Sequence, residues 1–194
     1  MLSKLVGLGL LALVATQVNT RTDTHYCPDG FEVSEVEGNV ECILLGGLQE
    51  RVTKHDAEIL CGAHDGNLVT MDEGHGGQKN EKIKKMIADK AGQGSIGIPG
   101  LQYDEQWWIG ATVRGHHNEN NWGNWVWDEH NTSVTWFDWM KDEPNDWQGQ
   151  NCLTFVKDQD IFGFGFYGWN DWGCENVARY ICERPTLNLN KTDF

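Results

Sequence analysis

The chain has 194 residues, 29 acidic against 15 basic for a formal charge of −14, ten tryptophans, 23 glycines and six cysteines. That length suits one domain. So large an excess of acid speaks against nucleic acid and anionic membranes as partners, because both require basic surface. It is compatible with binding a cation, although solubility alone accounts for it equally well.

The N-terminal stretch MLSKLVGLGLLALVATQVNT carries Lys4 and an apolar run from Val6 to Val14. That run is too short to span a bilayer, which needs roughly 20 apolar residues. It reads as a secretory signal peptide over residues 1–20. No later stretch resembles a transmembrane helix, so a secreted, extracellular product with no membrane span is expected. An even set of cysteines, Cys27, Cys42, Cys61, Cys152, Cys174 and Cys182, suits an oxidising compartment and reads as three disulfides. Spacing alone leaves their pairing open, and there is no CxxC pair to suggest zinc. Two sequons, at Asn131 and Asn190, are candidate glycosylation sites.

HYCPDGFEVSEVEGNVECILL alternates about a Gly38-Asn39 turn and predicts a β-hairpin whose ends Cys27 and Cys42 could staple. TKHDAEILCGAH predicts a helix capped by Thr53, with Ala57, Leu60 and Cys61 on one face and Gly66 beyond its end. A short strand, NLVTM, follows. A second helix runs through NEKIKKMIADKA, where Ile83, Met86, Ile87 and Ala91 recur at helical spacing and form a core face. GQGSIGIPG then breaks the pattern and reads as a loop. Beyond it QWWIGATV, NWVW, CLTFV and ARYICE look like short strands between loops rich in Gly, Asn, Asp and Trp. Helices first and a loop-rich β region second make the class α+β. Most tryptophans are expected to fill the core, and a minority at a binding surface could stack on apolar faces of a ligand.

The chemistry concentrates in KDEPNDWQGQNC, Lys141 to Cys152. Glu143 and Asn145 offer side-chain oxygens on either side of Pro144, which suits a hard cation. The same residues are also good turn formers. Asn170 and Asp171 lie further on, in YGWNDWGC. A disulfide between Cys152 and Cys174 would draw these two beside Glu143 and Asn145. Two carboxylates and two amide carbonyls, with a backbone carbonyl and water, would then meet the roughly 6–8 oxygens that Ca²⁺ takes. Mg²⁺ prefers a smaller octahedron and holds its own water, and a soft metal would want His or Cys.

Taken in order, the N-terminal cysteine pair, the helix bearing Cys61, WIG at Trp108–Gly110, NWVW at Asn124–Trp127, EPN at Glu143–Asn145, Cys152, WND at Trp169–Asp171, Cys174 and Cys182 resemble a C-type lectin domain. The resemblance covers Cys27 to Glu183. It implies the C-type lectin-like fold, with two helices, small antiparallel sheets, a long loop region and the pairings Cys27–Cys42, Cys61–Cys182 and Cys152–Cys174. Each such bridge would contribute about 2–4 kcal/mol. The implied domain spans residues 25–184, with a flexible C-terminal tail over 185–194. The resemblance further implies a cis Glu143–Pro144 bond, Ca²⁺ as cofactor, and the mannose, N-acetylglucosamine and fucose class of sugar that goes with EPN rather than the galactose class that goes with QPD. Glu143, Asn145, Gln150, Asn170 and Asp171 would hold the ion. Glu143 would accept from a sugar hydroxyl, Asn145, Gln150 and Asn170 would donate to one, and Asp171 would mainly hold the cation.

Two departures stand out. Gln150 occupies a position where many mannose-type members carry an acid, so Ca²⁺ affinity is expected at the weak end of extracellular sites, about 10⁻⁴–10⁻³ M. The partner acids of an auxiliary calcium site are missing near Val113 and His117, so Asp146 reads as a turn residue and His116-His117 as a solvated loop. In the longer segment KDQDIFGFGFYGWND, Phe162, Phe164, Phe166 and Tyr167 read first as a packed hairpin and second as an aromatic wall beside a ligand. The expected function is secreted, calcium-dependent binding of glycans or glycoproteins, in innate immune recognition as in many relatives. Avidity would come from a homo-oligomer formed through the domain. The alternative is a C-type lectin-like module that binds a protein or another surface, with calcium structural or absent. No GxSxG or HExxH motif is present, and an enzyme is not expected.

Overall fold

The computed structural model describes residues 25–71, 76–92, 106–118, 123–159 and 165–188. The expected signal peptide, the loop after residue 92, Asn190 and the aromatic positions Phe162 and Phe164 lie outside the described residues, as do the side chains of Ala91 and Phe166.

β1 (His25–Tyr26) pairs with β11 (Leu187–Asn188), so the two ends of the domain meet. Part of the stretch expected as a tail from residue 185 lies in strands. Pro185 still belongs to β10 (Arg179–Pro185), and Leu187 is registered against Tyr26. A larger sheet runs in the order β2 (Glu32–Val36), β3 (Asn39–Gly46), β10, β5 (Trp107–Arg114), β6 (Asn124–Trp127) and β7 (Thr132–Ser133). β4 (Asn67–Leu68) adds to β10, and β8 (Cys152–Gln159) joins β5 and pairs along its whole length with β9 (Gly165–Trp172). The first hairpin turns at Glu37 and Gly38, one residue earlier than expected, with φ of 50° and 87°. A two-residue hairpin loop needs positive φ at both central positions to match strand twist.

α1 (Lys54–Gly62) starts where Thr53 caps it: the Thr53 hydroxyl accepts from the Asp56 amide at 3.2 Å and donates to the Asp56 carboxylate at 2.8 Å. Ala57 and Cys61 are buried, but Leu60 is 36% exposed and leaves the face predicted for it. α2 (Gly76–Gly92) begins four residues before the expected Asn80. The extra turn carries Lys79, which is buried between Glu41 (2.9 Å) and Glu183. Helical periodicity cannot report such a residue, because its burial depends on acids from two distant strands. Ile83, Met86 and Ile87 are buried as predicted, against Val69, Trp107, Trp127 and Trp169 among others.

The core has two parts on opposite faces of the β5–β8–β9 strands. One holds α2 and most of the tryptophans; the other holds α1, Trp108 and the sulfurs of Cys61, Cys152 and Cys182. Trp107, Trp108, Trp125, Trp127 and Trp169 are all among the largest fully buried side chains, so the core role expected for most tryptophans holds for these. Two of them place their polar edge as well: Trp108 donates to the Val52 carbonyl (2.9 Å) and Trp169 to the Asn80 side chain (2.9 Å). The glycine of the WIG motif has a packing reason, since a Cβ on Gly110 would lie 2.7 Å from the Leu68 carbonyl oxygen. The cysteines pair as Cys27–Cys42, Cys61–Cys182 and Cys152–Cys174.

Candidate functional site

The segment carrying the EPN motif is anchored at both ends. Before it, the Met140 amide donates to the Trp169 carbonyl (2.9 Å) and the Trp169 amide to the Asp138 carbonyl (2.7 Å). After it, the chain enters β8 at Cys152, which is bonded to Cys174. Between the anchors, the Glu143 amide closes a turn on the Met140 carbonyl at 3.1 Å, helped by the positive φ of Asp142 (67°). The Glu143–Pro144 bond is cis. Pro144 is buried, Asn145 is exposed, and the Asn145 side-chain oxygen accepts from the Trp147 amide at 2.8 Å. Trp147 itself stands 64% exposed beside Asn145.

Asp171 is the hub of the site. Its carboxylate accepts from the backbone amides of Asn145 (3.2 Å) and Asp146 (2.7 Å) and from His117 Nε2 (2.7 Å). The Asp171 and His117 side chains are both fully buried. This corrects the reading of His116-His117 as a solvated loop: His116 is fully exposed, whereas His117 is not. Sequence spacing could not pair His117 with Asp171, which lies on β9, 54 residues further along. Burial pushes the Asp171 carboxyl up, but hydrogen bonds from His117, Glu143 and the two amides outweigh it and hold the group below its ordinary value.

Glu143 stands next to Asp171. Burial first, and then the Asp171 carboxylate, push its pKa up to about 8. Glu143 Oε2 and Gln150 Oε1 are buried oxygens without a hydrogen-bond partner, and Gln150 is only 6% exposed. Asn170 lies elsewhere. Side chains alternate along a strand, so Asn170 shares the face of Thr154 and Trp172 while Asp171 shares that of Leu153 and Trp169. The Asn170 amide is directed at Gln106 Oε1 (3.5 Å), which also accepts from Thr154 (2.7 Å). Of the five predicted ligands, then, Glu143 and Asp171 stand together with the Asn145 backbone beside them, Gln150 is buried later in the same loop, and Asn170 faces away. Gln106 and Thr154, which support Asn170, carried no sequence signal.

The residues present fit an oxygen-seeking cation. The crowded carboxyls of Glu143 and Asp171, the first with an orphaned oxygen, and the orphaned Gln150 oxygen are what such an ion would relieve. Among the described residues there is no group of three His, Cys, Asp or Glu side chains arranged to hold a metal. An ion here would depend on amide and backbone oxygens as well, a hard donor set suited to Ca²⁺. Among the other predicted features, Asn131 is exposed in a turn and its side chain accepts from Arg114. No helix among the described residues is long and apolar enough to cross a membrane.

Human C-type lectin domain family 4 member D is 36% identical over 77 residues, 39% of this chain and 34% of that protein, so the chain spans about a third of the length of this relative. Among solved structures, the carbohydrate-recognition domain of the mouse scavenger receptor C-type lectin is similar at 21% identity, with 84% of this chain and 99% of that one covered and a TM-score of 0.55. A calcium-independent type II antifreeze protein is similar at 18% identity, with 84% and 98% covered and a TM-score of 0.56. At such identities the likeness is one of fold. The family description "Lectin C-type domain" matches residues 50–184, most of the chain, and with two helices, a mixed sheet and three disulfides around the long loop this chain belongs to the C-type lectin domain family.

Proposed function

We propose that this protein is a secreted binding module, not an enzyme, and that the Glu143–Gln150 loop takes glycans of the mannose, N-acetylglucosamine and fucose class in a calcium-dependent way. One observation carries the reading. The EPN loop is docked on Asp171, yet Glu143 Oε2 and Gln150 Oε1 are left buried and unpartnered. Unsatisfied buried acceptors are costly, and a cation with sugar hydroxyls would satisfy them. Ca²⁺, when bound, supplies open positions for two neighbouring hydroxyls. Glu143, Asn145 and Gln150 are the residues we assign to it, with Asp171 behind them; Asn170 we assign to support of the β8–β9 hairpin. The Glu143 carboxylate accepts from a hydroxyl, and the Asn145 amide, at the exposed edge, donates to one. The Trp147 indole offers an apolar surface beside that edge.

A contact of this kind is weak, so useful avidity calls for several copies in a homo-oligomer. Secretion after removal of residues 1–20, a domain over 25–184, glycans at Asn131 and Asn190, and a role in innate immune recognition of glycoproteins or microbes complete the proposal. Retention on a mannose column in calcium, with release by a chelator, tests it. Equal behaviour in both buffers overturns it.

A second reading keeps the fold and drops calcium. Asp171 is already engaged by three N–H donors, which leaves it little to offer a metal. The module would then bind a protein or another surface. A glycan array run with calcium and again with chelator separates the two.

A further inference from the structure

We infer that His117 is a positioning residue that holds the Glu143–Gly149 loop in its folded form without a metal ion, so that order in the loop and binding by the loop are separable. The inference rests on reading this loop as the ligand-binding element, but not on what it binds.

The middle of the loop is held by the burial of Pro144, by a His116–Asp146 contact at 3.7 Å and, through its backbone, by Asp171. Among the described residues, the two backbone hydrogen bonds that leave the middle of the loop, from Asn145 and Asp146, both end on Asp171. The position of that carboxylate therefore sets where the Asn145–Asp146 backbone sits. A carboxylate has about four lone-pair sites, and an ion would ordinarily fix such a group from outside. Here His117 does so from within, with Nε2 donating to Oδ2 at 2.7 Å. Both side chains are fully buried, and a hydrogen bond in so dry a place is stronger than one in water.

The imidazole is itself fixed. It packs edge-on against Trp125, with ring centroids 5.1 Å apart and planes at 73°. Its space is kept by Gly123, where a Cβ would lie 2.6 Å from the Cβ of His117, and whose φ is +70°. Trp125 lies on β6 and Asp171 on β9, so His117, in the segment after β5, packs on one strand and fixes the carboxylate on another to which the loop amides bond. A residue that merely filled the core would need no polar partner on the carboxylate that carries the loop.

Hydrogen exchange at the Asn145 and Asp146 amides tests this, on the full chain, in calcium and in chelator. Three proteins are compared: wild type, His117→Gln, which keeps an N–H at similar reach, and His117→Leu, which fills the space without one. In wild type and His117→Gln, protection in chelator should stay within about threefold of that in calcium. In His117→Leu it should fall by about tenfold or more in chelator, the scale of one lost hydrogen bond, and return when calcium is added. Wild type losing protection on chelation overturns the inference, as does a leucine variant as protected as wild type in chelator. If the leucine variant does not fold, by near-ultraviolet circular dichroism, the wild-type chelator arm decides alone. The same samples go over the mannose column. Failure of wild type to bind there in calcium overturns the glycan reading and not this one.

Discussion

Two buried carboxylates organise this molecule, and they are completed in opposite ways. Glu183 accepts from the Thr70 amide (2.8 Å), the Thr70 hydroxyl (2.9 Å) and Lys79, which also binds Glu41 at 2.9 Å. Burial would lower the pKa of Lys79, but Glu183 and Glu41 outweigh it and raise it, so the lysine stays charged and neutralises the cluster. Asp171 has donors as well, but the ones that reach it are an imidazole and two backbone amides, and it crowds Glu143. The first hub is closed by the chain's own cation. The second keeps orphaned oxygens at Glu143 and Gln150. The contrast separates a carboxylate that serves the fold from a pair arranged to receive something.

The comparison breaks first at Lys79. Lys79→Met strands two acids in the closed hub and should cost about 3–5 kcal/mol in urea unfolding near neutral pH. A loss no larger than a surface substitution gives would show that the hub is not closed by charge.

Next comes pH. Burial, only partly offset by Lys79, pushes the Glu41 pKa from 4.5 up to about 7. Between those values the folded state keeps a proton that the unfolded chain has lost. The stabilisation is therefore full below about pH 4.5 and is lost as pH rises through about 7, by no more than roughly 3 kcal/mol. Glu41→Gln should flatten that fall, which the difference between the two unfolding profiles measures.

In the open hub, Glu143→Gln should weaken calcium by about tenfold or more while leaving the stability of the calcium-free protein unchanged or raised, since it removes a crowded carboxyl. Calorimetric titration and urea unfolding read the two effects. Gln150→Glu should tighten calcium several-fold, about threefold to tenfold, by restoring a charge; no gain would remove Gln150 from the site. The smallest effect is expected from Asn170→Ala: calcium affinity within about threefold of wild type and a stability loss of about 1 kcal/mol. A larger loss of calcium affinity would return Asn170 to the ion.

Much of the frame was legible. Thr53 announces its helix because a cap is a local hydrogen bond three residues long. Ile83, Met86 and Ile87 announce theirs because burial repeats with the helical turn. The strands at Trp107–Arg114 and Arg179–Pro185 follow from short apolar runs. Other features stayed hidden. Leu60 looked like core and is exposed, because the helix face is set by what lies opposite it. Asn170 and Asp171 looked like one pair of ligands, but once they lie in a paired strand they face opposite sides.

The sequence by itself determined the element types, the family pattern and the chemistry available in the loop, because caps, turns and periodic apolar positions act between near neighbours. Tertiary structure alone decided that His117 meets Asp171, that Lys79 closes one hub, and that Glu143 and Gln150 keep unpaired oxygens. Each of these depends on which strands lie side by side, and hydrogen bonds and buried charges reach only a few ångströms, whatever the distance along the chain.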